Sequence, residues 1–407
     1  MNSKKLNTAL RSIFAICLSL QLIPQRVEAQ SSGTGYSSTE IRIGNLMPYS
    51  GPASSYGVIG KLESAYVDMI NGQGGVNGRQ IKFISYDDAY SPPKSIEQAR
   101  RLVESDEVVA IFSAVGTPTN AAIQKYMNLK KVPQIFSLSG ADRFNDYKQY
   151  PWTVGFNPSY ATETRIYAKY ILEQRPNAKI AILWQNDDSG RDYVRGMEEV
   201  LGSRAEKMIV AKASYEPTDP VIDSQIITLK SSGADVLVSL GTPRAGSQAI
   251  RKAAELGWKP LLFIGNPQAS VATVLTPAGL DNSKGVLSSS AFKDPTDPSW
   301  KNDPDVVEFL AFLARYFPSG DPGNTTMLYG YVAAQAMIQV LKQCDDDLSR
   351  ENVLRQATNL ASFKPAMLLP GITMNTSPTN HAPLRQSQMM QFDGERWQMI
   401  GSIISED

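Results

Sequence analysis

The sequence predicts an α/β protein of two doubly wound parallel-sheet lobes joined by a three-segment hinge. Three observations carry that expectation. Residues 41–88 read as strand, turn, helix and strand, a βαβ unit that commits the opening of the chain to a parallel sheet. The same alternation restarts at Tyr160, after a segment hedged by Pro151 and Pro158. Two further extended segments, Gly285 to Ala291 and Leu369-Pro370-Gly371-Ile372, separate later blocks and complete three crossings between lobes.

Taken in order, Ile41 to Met47 is an apolar run closed by Pro48 and a Gly51-Pro52 turn. Val58, Leu62, Ala65, Tyr66, Met69 and Ile70 then recur at helical spacing. Gly72, Gly74, Gly75 and Gly78 stop that helix, because glycine takes positive φ at little cost, and Ile81 to Tyr86 is extended again. A helix faced by Ile96, Ala99, Leu102 and Val103 leads to a strand at Val108 to Phe112. Thr117 suits an N-cap and Pro118 the first helical position of the helix that follows. Strand Gln134 to Ser137 runs into Leu138-Ser139-Gly140-Ala141, a second hydroxyl and glycine loop at a strand's carboxyl end.

Beyond Tyr160 the strands are Lys179 to Trp184, Met208 to Ala213, Asp235 to Leu240 and Leu261 to Ile264. Their exits carry Ser189, Thr242, Arg244, Asn266 and Gln268. Helices Val306 to Phe317, Met327 to Lys342 and Arg350 to Leu360 are expected to return to the first sheet. Gln388 to Phe392 and Trp397 to Ile404 flank a hairpin turn at Asp393-Gly394. The expected division is lobe 1 over 41–154 plus 292–369, and lobe 2 over 158–285 plus 371–407.

Composition bounds the function. Lys4, Lys5 and Arg11, an apolar segment from Ser12 to Ile23 and Val27-Glu28-Ala29 read as a signal peptide over 1–29, too short to span a bilayer as an anchor. Ile16 before Cys17 argues against a lipoprotein site. Residues 30–40, rich in Ser, Gly and Thr, are expected to form a disordered leader. Without the signal, 378 residues remain with 36 Lys and Arg against 39 Asp and Glu, which offers nothing to nucleic acid or an anionic membrane. Cys344 then stands alone, so no intramolecular disulfide forms. His381 is the sole histidine, expected in a surface loop, and leaves no zinc spacing and no histidine-based triad. No nucleophile and base pair points to an enzyme, and neither metal nor cofactor is expected. Gly72 to Gly78 follows a helix and so is a turn, not a dinucleotide fingerprint. Asp87-Asp88 and Asp187-Asp188 read as caps and solvated loop ends.

Function in such sheets sits at the carboxyl ends of the strands. There Thr117, Ser137, Ser139 and Gly140 offer hydroxyls and backbone amides suited to a small carboxylate, although helix capping alone would use them equally.

Three strings, GPASSYG at 51–57, INGQGGVNGR at 70–79 and YDDAYSP at 86–92, resemble the opening of the leucine/isoleucine/valine-type periplasmic solute-binding proteins of ABC transporters. The resemblance covers nearly everything after residue 40. It implies a type I periplasmic binding protein in which Thr117 and the Ser139-Gly140 loop bind a ligand carboxylate and Tyr56 packs a ring on it. It also implies closure by Ser189, Thr242, Arg244, Asn266 and Gln268, a periplasmic monomer, and delivery to an inner-membrane permease. Members that bind α-amino acids usually carry a tyrosine where Ser189 stands and a glutamate near Pro267. Here the neighbours Asn266 and Gln268 are neutral, so an ammonium group would lose its counter-charge. Aromatic or short branched acids therefore suit the sequence better than leucine. Arg244 could enter the cleft or lie on its rim. A ligand sensor for a membrane receptor is the alternative that the same fold permits.

Overall fold

The computed structural model describes residues 33–405, so the expected signal peptide and Cys17 lie outside the described residues. Five strands form the first sheet: β1 (Glu40–Met47), β2 (Gln80–Asp87), β3 (Ala110–Phe112), β4 (Gln134–Ser137) and β5 (Thr153–Gly155). Their order is β2-β1-β3-β4-β5, parallel throughout. The second sheet holds β6 (Ile180–Gln185), β7 (Ile209–Tyr215), β8 (Val236–Leu240), β9 (Leu261–Ile264), β10 (Leu287–Ser290), β11 (Gln386–Phe392) and β12 (Trp397–Ser405). It is parallel from β7 to β10 and antiparallel at the β10-β11-β12 edge.

The helices that frame the cleft are α1 (Gly57–Gly72), α2 (Pro92–Arg100), α3 (Thr117–Lys130), α4 (Tyr160–Gln174), α5 (Asp188–Leu201), α6 (Asp223–Ser231) and α7 (Pro243–Glu255). After β10 come α8 (Pro304–Tyr316), α9 (Met327–Gln343) and α10 (Arg350–Ala357), which pack on the first sheet as expected. Helix α9 is buried along nearly its whole length. Its Gly330 lies so close to α1 that an added Cβ would stand 3.0 Å from the Ile59 carbonyl oxygen and side chain. Tyr331 meets Tyr66 edge-on at 5.5 Å and Phe309 at 4.9 Å, locking α9 between α1 and α8.

Several expectations need correction. Gly285 to Ala291 is mostly strand, because β10 slots between β9 and β11 and the crossing begins only at Ala291. The third crossing falls after Leu384, since Ile372, Met374 and Leu384 all join the core of the first sheet. The leader is ordered from Gly33. Tyr36 bridges Ile41, and the Ser37 carbonyl accepts a 3.0 Å bond from the fully buried Arg79. A Ser- and Gly-rich composition carried no sign of that arginine. His381 is buried, 3% exposed, with Nδ1 2.7 Å from the Thr153 carbonyl, and so it ties the last crossing to β5.

Candidate functional site

Loops from both sheets converge on a cavity between the lobes. The first sheet contributes Thr117 and Gly116 from the head of α3, Val115 and Leu138 behind them, and Tyr90 from the loop after β2. Helix α1 adds Ile59, with Tyr56 just before it, and α9 adds Tyr329. From the other side come Asn157 in the first crossing, Tyr160, Gln185, Ser189, Tyr193, Gly241 and Pro267.

Local geometry explains why these groups face inward. Ala89 and Tyr90 both hold left-handed backbones, φ 51° and 59°, a conformation that needs outside support in non-glycine residues. Asp88 supplies it: Oδ1 accepts the Tyr90 N–H at 2.9 Å and Oδ2 the Ser95 hydroxyl at 2.8 Å. Asp88 is therefore a buried turn-former and not a solvated loop end, and burial raises its pKa to about 6. Asp87 beside it is part-exposed and is bonded to Lys94 and Ser50. Gly116, at φ 102°, leaves room for the Tyr90 ring; a Cβ there would sit 2.4 Å from it. Thr117 opens α3 with its hydroxyl 2.7 Å from that of Ser139, which also accepts the Ala141 N–H at 3.2 Å. The two hydroxyls thus form one buried pair beneath the positive end of a helix.

On the second lobe, Asp187 N-caps α5 and takes bonds from the Ser189 hydroxyl at 2.5 Å and Gln185 Nε2 at 2.5 Å. Gln185 Nε2 also lies 3.4 Å from the Tyr90 hydroxyl across the cleft. Tyr160 and Tyr193 stack at 4.3 Å between ring centres. Burial raises the pKa of Tyr56, Tyr90, Tyr160, Tyr193 and Tyr329, so all five phenols are neutral at physiological pH. Among the described residues, no formally charged side chain lines this cavity.

The sequence-predicted residues divide accordingly. Tyr56, Thr117 and Ser189 line the cavity, and Ser139 supports Thr117 from behind. Gly140 brings its backbone against the first crossing, where a Cβ would meet the Pro158 carbonyl at 2.3 Å. Ser137 is buried below the wall. Thr242 is spent on Tyr215, whose hydroxyl accepts its N–H at 2.8 Å, and Gly241 takes its place at the surface. Arg244 points away from the cleft, donating to the carbonyls of Pro217 at 2.8 Å and Asp219 at 2.5 Å. Gln268 is buried and donates to the Thr242 carbonyl at 3.1 Å, while Pro267 reaches the cavity. Asn266 sits behind Pro267, bonded through its side chain to the Ser289 carbonyl and the Tyr329 hydroxyl.

Sequence reasoning missed Tyr90, Tyr160, Tyr193 and Tyr329, because a tyrosine at helical or turn spacing packs in a core as readily as it lines a cavity. It also missed Glu163, in the first turn of α4, which lines a smaller neighbouring pocket that shares Asn157, Tyr160 and Pro267 with the cavity. Its carboxylate accepts from Tyr167 at 2.5 Å, the Asn266 N–H at 2.7 Å, and Tyr193 and Ser289 at 3.2 Å each. Burial raises its pKa despite these donors. Among the described residues no cluster of three or more His, Cys, Asp or Glu could hold a metal, and no helix is long and apolar enough to cross a membrane.

Comparison with known proteins follows the same lines. A family model described as periplasmic binding protein matches residues 40–396. The chain is 26% identical over 360 residues to Leu/Ile/Val-binding protein homolog 7 of Brucella abortus, covering 85% of this chain and 88% of that one. A branched-chain amino acid ABC transporter structure from Thermus thermophilus with bound valine superposes with TM-score 0.79 at 15% identity, over 90% of this chain and 96% of that one. A fatty acid ABC transporter substrate-binding protein from Thermomonospora curvata gives 0.77 at 18% identity, over 93% and 95%. At such identities the two structures establish the shared fold.

Proposed function

The chain belongs to the periplasmic binding protein family, among the branched-chain amino acid-type substrate-binding proteins of ABC transporters, and we propose that it captures a small carboxylate-bearing ligand lacking an α-ammonium group. One observation carries this reading: the cavity is walled by neutral groups, with the Thr117 hydroxyl, backed by Ser139 at a helix N-terminus, as its anion-holding end. An α-ammonium group would need an acceptor carboxylate, and Glu163 already receives four internal donors. Aromatic or short branched acids match the tyrosine-rich wall. The Thermomonospora neighbour, named for fatty acids, is a precedent for a carboxylate without an amine on this fold.

In this reading Tyr56 and Thr117, the latter backed by Ser139, receive the ligand on the first lobe. Gln185, Ser189, Tyr193 and Pro267 close over it by rotation about the three crossings, and the closed form is handed to an inner-membrane permease. The test is a thermal-shift screen of leucine, isoleucine and valine against benzoate-type and branched aliphatic acids. The expected result is a rise in melting temperature with one of the acids. A rise with leucine and none with any acid would overturn the ligand class.

A further inference from the structure

A second cavity lies beside the crossing segments and shares Tyr329 with the first. Its walls come from both lobes. Phe292, Trp300 and Tyr329 stand on one side, and Met390, Trp397 and Met399 of the β11-β12 hairpin on the other. Phe292 and Tyr329 meet edge-on at 5.1 Å, so the apolar lining is a packed aromatic surface. Trp300 and Met399 are part-exposed, which brings the rim to solvent.

The charge around this space is lopsided. Lys293 lines it, 5.5 Å over the Trp300 ring, with its ammonium held by Asp303 at 2.8 Å and Asp305 at 2.7 Å. Asp297 pairs with Arg396 at 3.3 Å, and Arg396 lies 4.0 Å from Asp393. Asp294 has no such partner. Its Oδ1 accepts from the Thr296 N–H at 2.8 Å and hydroxyl at 2.7 Å, whereas Oδ2 is shielded from solvent with no donor among the described residues. Of the charged groups that line the space, Lys293, Asp294 and Asp297, only Asp294 is without an ion-pair partner among the described residues. Burial raises the Asp294 pKa and the neighbouring Asp297 charge adds to the rise.

A lone buried carboxylate oxygen beside aromatic surface is complementary to an organic cation, which neutralises the charge and lies against the rings. A carboxylate ligand would be repelled, so this space is no duplicate of the cleft. A bare metal ion would call for more ligating groups than are gathered here. We propose that the hinge-side cavity is a second binding site, for the alkylammonium or quaternary ammonium group of a small organic cation, with Asp294 as its counter-charge and Phe292, Trp300 and Tyr329 as its aromatic wall. Because both lobes supply the walls, the occupant favours the closed arrangement. The site does not depend on the carboxylate reading of the cleft.

Isothermal titration of the purified full chain with choline chloride and with phenethylammonium chloride, against sodium chloride at matched ionic strength, tests this. Saturable binding of at least one ammonium is expected. Its affinity should fall about tenfold or more in Asp294→Asn and change no more than about twofold in Thr117→Ala. Asparagine matches aspartate in size and removes an unpaired buried charge, and Trp300→Ala repeats the test should Asp294→Asn lose its melting transition. No saturable heat with either ammonium, an unchanged affinity in the decisive variant, or a loss in Thr117→Ala would overturn the proposal.

Discussion

Arg143 and Asp188 join the two lobes, the arginine Nη1 lying 2.5 Å from the carboxylate Oδ2 across the mouth of the cleft. Arg143 belongs to the loop after β4, and Asp188 opens α5, one residue from Ser189. Both side chains are about one third exposed, 31% and 32%, so solvent screens the pair. Its contribution to closure is about 1 kcal/mol. Arg143→Ala should weaken ligand capture by up to about fivefold, and the gap from the parent should shrink as salt is raised. Affinity measured at low and high ionic strength checks both. An effect that is large and indifferent to salt would assign Arg143 some other role.

Gly116 carries both a positive φ and the close approach of Tyr90. Gly116→Ala should destabilise the protein by about 2–4 kcal/mol and displace the Tyr90 ring from the cavity. Gly74→Ala is the matched control, because Gly74 has φ 105° but open space around it. Urea unfolding of the two variants separates backbone strain from steric clash. Equal losses would show that Tyr90 yields without resistance.

Asp88 sets a pH dependence. Its folded pKa of about 6 lies above the ordinary 3.8, chiefly through burial, so the folded state holds its proton where the unfolded state has released it. Stability from this group therefore falls as pH rises from about 4 to about 6, by about 3 kcal/mol in all. Asp88→Asn should flatten that part of the profile relative to the parent while retaining an acceptor for the Tyr90 N–H. Melting temperatures at pH 4, 5, 6 and 7 for the two proteins measure the difference. Parallel curves would mean that Asp88 ionises freely in the fold.

The parallel sheets were legible because their signals are local. Apolar runs ending in Pro and Gly, with helices between them, show strand, crossover and strand without knowledge of the rest. The carboxyl-end loops that line the cleft were legible for the same reason, as Thr117 and Ser189 show. What escaped depended on partners far along the chain. Arg244 looked free to enter the cleft because the carbonyls of Pro217 and Asp219 leave no mark on its own segment. Tyr329, on α9, reaches a cavity built mostly by residues before 268, and no spacing rule connects them. The ordered leader depends on Arg79, a residue 42 positions from the Ser37 carbonyl it holds.

The course of the chain also dictates an order of assembly. Strands β1 to β5 all appear before residue 156, yet the helices α8 and α9 that cover one face of their sheet lie beyond residue 300. A polypeptide emerging from the ribosome must therefore carry a half-bare first sheet while β6 to β10 of the second are made, and the second sheet in turn waits for β11 and β12 at the end of the chain. Slow completion of that kind would leave a nascent chain open to chaperones for most of its synthesis.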